Sequence, residues 1–222
     1  MARLRYPCLV LDHDDTVVDS TAHVHYPAFL ACAEQLRPGM VSMTLEEYFR
    51  MNCDPGLGAY YRDVMKLTAD ELAFETKFWL DYVASHVPTV YDGMGEIIRE
   101  QLARGGHVCV VSHSRRDNIL RDYKANGLPE PELVYGSDLP RDRQKPNPWP
   151  LADIMERLEF APEDLLMVDD LPLGRDMADA AQVPFAAAGW AHAIPALQNR
   201  LRRGGGLYFS SPTGLYDHLF AD

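Results

Sequence analysis

Apolar residues in this chain gather into short uninterrupted runs, and almost every run stops at a polar residue or a turn. Cys8-Leu9-Val10-Leu11 ends at Asp12, His107-Val108-Cys109-Val110-Val111 at Ser112, and Leu165-Leu166-Met167-Val168 at Asp169-Asp170. Such runs have no solvent face, so each predicts a strand covered on both sides, as in a parallel sheet. Leu133-Val134-Tyr135 predicts a short strand, and Pro184–Ala188 the last one, before Gly189-Trp190. Between them lie helical stretches: Gly93–Arg104, stopped by Gly105-Gly106; about Arg116–Asn126, stopped by Gly127; Leu151–Leu158; and Asp176–Ala181. Strands alternating with helices of this length imply right-handed β-α-β units and an α/β fold with a parallel sheet. Beyond them, Arg200–Gly206 reads as a basic, flexible turn, followed by Tyr208-Phe209 and a last helix from about Thr213.

One long stretch breaks the alternation. From Thr21 to Val87 the apolar positions recur at helical spacing, in Tyr26, Phe29, Leu30 and Ala33 and again in Leu72, Phe74, Phe78, Trp79, Tyr82 and Val83. Arg37-Pro38-Gly39 and Asp54-Pro55-Gly56-Leu57-Gly58 are turn signals. Thr44-Leu45-Glu46-Glu47 and Thr68-Ala69-Asp70-Glu71 have the spacing of capping boxes, in which threonine and glutamate satisfy each other's main-chain N–H groups. The expected organisation is an α/β core made of 1–20 and 88–222, with an all-helical domain of about four helices, 21–87, inserted into it.

Composition narrows the class. With 222 residues, 47% of them hydrophobic, the chain can bury a full core without a disulfide scaffold. Cys8, Cys32, Cys53 and Cys109 are scattered and form no C-x-x-C pair, so a reducing, cytoplasmic setting is expected. The stretch from Met1 to Pro7 holds no signal-length apolar region, and no segment approaches a membrane span. A net charge of −12 repels phosphate backbones and disfavours nucleic acid as a partner. A small anionic substrate remains compatible with it, because a metal ion and a few basic groups can hold a phosphate locally.

The chemistry sits where the apolar runs stop. In a parallel sheet the strand ends share one edge, and that edge is where ligands bind. Asp12, Asp14 and Asp15 crowd the first end, Ser112 the second, and Asp169 with Asp170 the third. Gathering carboxylates is costly unless they share a cation or a proton, so a metal site or an acid/base pair is implied. Turn and helix-cap roles account for single residues here, Asp15 among them, but not for the convergence of three ends. Lys145-Pro146-Asn147-Pro148, between the second and third ends, adds a lysine that can neutralise phosphate and carboxylate together.

The pattern Asp12-x-Asp14-x-Thr16, with Ser112, Lys145-Pro146-x-Pro148 and Asp169-Asp170 following in that order, resembles the haloacid dehalogenase (HAD) superfamily. Its branch is that of phosphoglycolate phosphatase and β-phosphoglucomutase, and the resemblance covers nearly the whole chain. It implies a Rossmann-like three-layer core and an aspartyl-phosphate mechanism, with Asp12 as nucleophile and Asp14 as general acid and then base. It also implies that Ser112 hydrogen-bonds the transferring phosphoryl group, that Lys145 compensates charge, and that Thr16 supports the turn and the phosphate site. Mg²⁺ would be held by Asp12, the main-chain carbonyl of Asp14, and Asp169 or Asp170. The inserted helices occupy the place of a cap that closes over the cleft and selects the substrate.

Candidate substrate contacts on that reading are His23, His25 and Arg62, with Asp54, Tyr60, Tyr61 and Lys66 nearby in sequence, and His113, Arg115 and Arg116 after the second strand. His13 and His113 replace an apolar residue and an asparagine of the pattern, and a histidine beside a phosphate would modulate pH dependence. Asp176 lies too far from Asp170 for the usual fourth motif and reads as a helix start. The expected function is hydrolysis of a small phosphorylated metabolite by a monomer or homodimer. A phosphomutase is the alternative within the fold, and a non-catalytic metal- or phosphate-binding protein the alternative of another class. Dehalogenation is disfavoured because that branch lacks the second aspartate, here Asp14.

Overall fold

The computed structural model describes residues 4–40, 43–202 and 206–221. It divides into two compact units, Met1–Asp19 with Thr89–Asp222, and Ser20–Pro88. In the first, the strands are β1 (Cys8–Leu11), β4 (His107–Val111), β5 (Leu133–Tyr135), β6 (Leu165–Asp169), β7 (Phe185–Ala188) and β8 (Leu207–Phe209), ordered β5-β4-β1-β6-β7-β8. Every neighbouring pair is parallel. β1 lies at the centre, with Leu11 opposite Val110 on one side and Val168 on the other. The chain fills the sheet outward from β1 to β4 and β5, then returns to the other flank, so the direction reverses between β1 and β6. Open α/β sheets bind their ligands at such a reversal.

Period-two alternation divides the strand side chains between two cores. Leu9, Leu11, Val108, Val110, Leu166 and Val168 pack with Met94, Ile97, Ile98 and Ile119, from helices α5 (Met94–Ala103) and α6 (Arg116–Ala125). Cys8, Val10, Cys109, Val111, Leu165 and Met167 pack with Leu151 and Ile154 of α7 (Trp149–Leu158) and with Met177 and Ala178 of α8 (Pro172–Ala181). Both faces are thus buried, which is why the strand sequences are continuously apolar. The architecture is the three-layer α/β arrangement expected from the alternation.

Several elements differ from expectation. α8 begins at Pro172 rather than Asp176: proline at the first helical position lacks only an N–H the helix leaves unpaired anyway. Asp176 is consequently inside the helix and not at its start. Pro184–Ala188 does not supply the last strand, because β8 adds a further one at the sheet edge, preceded by α9 (Pro195–Leu201). A two-residue antiparallel pair, β2 (Val18–Asp19) with β3 (Thr89–Val90), flanks the helical insertion and is too short to leave a periodic signal. The last helix, α10, spans Pro212–Phe220. Of the basic turn, Arg203, Gly204 and Gly205 lie outside the described residues.

The second unit contains no strand among its described residues. A π-helical turn at Thr21–His25 leads into α1 (Tyr26–Leu36), followed by α2 (Leu45–Cys53), α3 (Leu57–Asp63) and α4 (Ala69–Ser85). Both capping boxes form, with Thr44 and Thr68 accepting from the N–H groups of Glu47 and Glu71. The core gathers Phe29, Ala33, Met43, Tyr48, Tyr60, Tyr61, Met65 and Leu67. Phe29 packs its ring against Tyr48 at 5.3 Å and Tyr60 at 5.8 Å. Tyr60 and Tyr61 are therefore interior packing residues, while Leu72 and Phe74 of α4 are exposed despite their helical spacing. No described helix is long and apolar enough to cross a membrane.

Candidate active site

The turn after β1 is folded by its own main chain. The carbonyl of His13 accepts hydrogen bonds from the N–H groups of Val17 (3.0 Å) and Val18 (3.1 Å), and Asp15 N–H donates to Val18 at 2.7 Å. Asp15 takes a left-handed φ of 59°, a conformation that aspartate tolerates better than most residues. That accounts for an aspartate at this position in terms of the turn. Asp12 continues β1, its N–H bonded to the Val168 carbonyl at 2.9 Å.

Lys145 joins the strand ends. Its Nζ donates to Asp12 Oδ1 and to Asp169 Oδ2, both at 2.7 Å, and all three side chains are buried. The other oxygen of Asp169 accepts from the N–H of Leu171 at 2.7 Å. Gly174 of α8 leaves room for this carboxylate, since a Cβ there would overlap Asp169. Asp170 is equally buried, and the Thr16 hydroxyl approaches its Oδ1 at 3.5 Å. Burial, with Asp15, Asp169 and Asp12 nearby, holds its carboxyl well above the usual carboxylate range. Burial likewise raises Asp169, although Lys145 pulls the other way.

Asp12, Asp169 and Asp170 each offer an oxygen within 4.8 Å of the others. One ammonium against three carboxylates leaves negative charge that a proton or a cation must offset. A divalent cation with a preference for hard oxygen donors fits this set, Asp170 most directly because Lys145 and Leu171 already occupy Asp169.

The loop after β4 completes the cluster. Ser112 is buried, its N–H bonded to Tyr135 O at 2.9 Å and its Oγ accepting from Ser114 N–H at 3.1 Å. Ser114 Oγ donates to Asp14 Oδ2 at 2.5 Å. His113 Nε2 meets the Lys145 carbonyl at 3.1 Å, so the ring ties this loop to the lysine segment. Residues from β1, β4, β6 and the segment before α7 are thereby brought to one sheet edge.

Residues 9–188 match the model of the haloacid dehalogenase-like hydrolases. The chain belongs to this family. It is 26% identical over 188 residues to phosphoglycolate phosphatase of Thiobacillus denitrificans, covering 79% of this chain and 80% of the relative. A predicted phosphoglycolate phosphatase from Haemophilus somnus 129PT shares the fold with a TM-score of 0.81 at 15% identity, over 96% of this chain and 98% of that one. CbbY from Rhodobacter sphaeroides, solved in complex with xylulose-(1,5)bisphosphate, does so with a TM-score of 0.73 at 17% identity, over 95% and 96%. By family, this chain is an enzyme of the HAD-like hydrolase type.

Arg115 is exposed and pairs with Asp117 at 3.1 Å, while exposed Arg116 gives its N–H to Asp138. His23, His25 and Arg62 belong to the helical unit; His23 and Arg62 are exposed, and Arg62 pairs with Asp63 at 3.0 Å. His25 Nδ1 accepts from the Trp79 indole at 3.3 Å, which places the proton of a neutral ring on Nε2.

His13 differs from expectation. It is fully buried, bonds Asp122 of α6 through Nε2 at 3.0 Å and stacks on Tyr123, so its ring serves the interior rather than a phosphate. Sequence reasoning also passed over Trp190, which donates from Nε1 to the Thr16 carbonyl at 3.1 Å, and the half-buried His192. Both follow β7, the fourth strand end on the same edge, and the rule that singled out the other three would have found them.

Proposed function

We propose that this HAD-like hydrolase is a Mg²⁺-dependent phosphatase that cleaves a small phosphorylated metabolite through an aspartyl-phosphate on Asp12. The observation carrying the reading is Lys145 bridging Asp12 and Asp169 at 2.7 Å beside Asp170, an arrangement that poises a carboxylate nucleophile against a cationic phosphate-binding edge. Lys145 occupies Oδ1 of Asp12, leaving Oδ2 to attack phosphorus. Asp14 protonates the departing alcohol oxygen, then takes the proton of the water that hydrolyses the acyl phosphate, so the two carboxylates divide nucleophilic and acid/base work. The Ser112 hydroxyl and Lys145 hold the phosphoryl oxygens as charge develops on them. Asp12, the Asp14 carbonyl and Asp170 would hold Mg²⁺, with Asp169 orienting Lys145; the bound ion supplies charge neutralisation at the phosphoryl group.

Similarity to the Thiobacillus phosphoglycolate phosphatase supports a small phosphorylated acid as substrate. The net charge of −12 supports the exclusion of nucleic acid, and the four free cysteines support a reducing, cytoplasmic setting. We read Ser20–Pro88 as the family's helical cap, with His23, His25 and Arg62 as its candidate specificity residues.

The test is phosphate release from a panel of phosphorylated metabolites with Mg²⁺, beside Asp12→Asn. Turnover by the wild type that vanishes in Asp12→Asn is the expected result. Release that persists in Asp12→Asn would refute the nucleophile, a wild type inert across the panel would favour a binding role, and isomerisation without release would indicate a mutase.

A further inference from the structure

The loop after β4 carries one side chain to which the mechanism above gives no task. Ser114 is 5% exposed, and its Oγ lies 2.5 Å from Asp14 Oδ2, a contact between residues 100 positions apart. The serine itself is held from both sides. Its N–H donates to Ser112 Oγ at 3.1 Å, and its carbonyl accepts from Ser137 N–H at 2.9 Å. Gly136 makes the second bond possible: a Cβ there would stand 2.7 Å from the Ser114 carbonyl oxygen and 2.6 Å from Arg116 N. The main chain of Ser114 is therefore fixed by the ends of β4 and β5, and its hydroxyl reaches Asp14 from a rigid base.

Asp14, by contrast, sits in the turn after β1, partly exposed, where an aspartate has several rotamers open to it. A general acid works only when its proton lies within hydrogen-bond reach of the leaving oxygen, and displacement of about 1 Å costs on the order of 100-fold. A hydroxyl suits the task because it donates to a carboxylate and accepts from a carboxylic acid, so it keeps its partner through both halves of an acid/base cycle.

We infer that Ser114 is a positioning residue that fixes the Asp14 carboxyl for proton transfer to the leaving group. The inference rests on the proposed phosphatase mechanism and adds to it a side chain that works only through Asp14. Its signature is dependence on the leaving group. An alkoxide needs a proton as the ester bond breaks, whereas p-nitrophenolate leaves without one.

The experiment compares kcat/KM for p-nitrophenyl phosphate with that for the alkyl monophosphate of the panel turned over fastest, since kcat/KM reports transfer to Asp12. In Ser114→Ala the alkyl ester is expected to lose about 10- to 100-fold and the nitrophenyl ester less than about threefold. Ser114→Thr, which keeps the hydroxyl, restores the alkyl rate, and Ser114→Ala adds nothing in an Asp14→Asn background. Ser114→Cys, similar in shape with a weaker donor, stands in if the alanine variant does not fold. Equal losses on both esters, or none, overturn the inference while leaving the phosphatase reading intact, provided Asp12→Asn is still inert. Activity retained in Asp12→Asn instead overturns the mechanism on which the inference rests.

Discussion

The two units differ in the polar bonds they bury. In Ser20–Pro88 most ion pairs and caps close within a few residues: Arg50 with Glu46 and Lys77 with Asp81 at a spacing of four, Thr44 with Glu47 and Thr68 with Glu71 at three. These groups are largely exposed, and Arg37 with Glu71 is the long pair, 34 positions apart. The α/β unit has local pairs as well, Arg104 with Glu100 and Arg157 with Asp153 at a spacing of four, but adds bonds that are wholly or partly buried and span the chain: 133 positions from Lys145 to Asp12, 109 from His13 to Asp122, 100 from Ser114 to Asp14. Solvated local pairs contribute little and are replaceable. Buried pairs at a sheet edge are costly to assemble, so their presence marks a place where charge is used.

The contrast is best broken at Lys145. Lys145→Ala leaves Asp12 and Asp169 buried without their cation, and we expect turnover to fall by at least about 10²- to 10³-fold. Stability should fall by about 3 kcal/mol, measured by urea unfolding. A variant that unfolds like the wild type would mean that the edge carboxylates are neutralised by some other route.

His13 with Asp122 tests burial away from the reacting groups. Asp122→Leu strands the buried His13 ring and should cost about 3 kcal/mol, whereas His13→Leu should cost less, because Arg121 still pairs with Asp122 Oδ1 at 2.7 Å. The double variant should cost clearly less than the sum, read from the same unfolding curves. Strict additivity would show that the two side chains do not act as a pair.

The smallest effect belongs to the helical unit and depends on pH. The Arg37 guanidinium, with the Thr68 N–H, holds Glu71 down to about 2 from an ordinary 4.5. A carboxyl depressed on folding stabilises above its unfolded value, and that contribution disappears as pH falls through the folded one. Glu71→Gln should therefore lower the unfolding midpoint at pH 7. The gap to wild type should narrow between pH 4.5 and 2 and be gone below it. Hydrogen exchange in α4 reports it locally, and a gap that survives at pH 2 would assign the effect to packing.

Much of this was legible along the chain. Continuous apolar runs gave the interior strands, because only a sheet covered on both faces tolerates them, and both capping boxes were visible as four-residue patterns. The clustering of Asp12, Asp169 and Asp170 followed from a single rule, that parallel strands present their ends on one edge, whereas Lys145 joined them through the family resemblance. β2 and β3 escaped because two residues carry no period, and α8 began early because Pro172 and Gly174 resemble a loop until a carboxylate needs the space beside them.

What the sequence by itself determined, then, was which residue types stand at which strand ends, since periodicity and capping act over a turn or two of chain. Direction and partnership were decided only by the tertiary structure. His13, flanked by two aspartates that face the edge, turns to Asp122, and Ser114 finds Asp14 across 100 residues. Asp169 and Asp170, adjacent in sequence, take different partners, the first Lys145 and the second Thr16. Such choices depend on where a backbone bends and what burial leaves unpaired, and both are set by contacts between segments that no local pattern records.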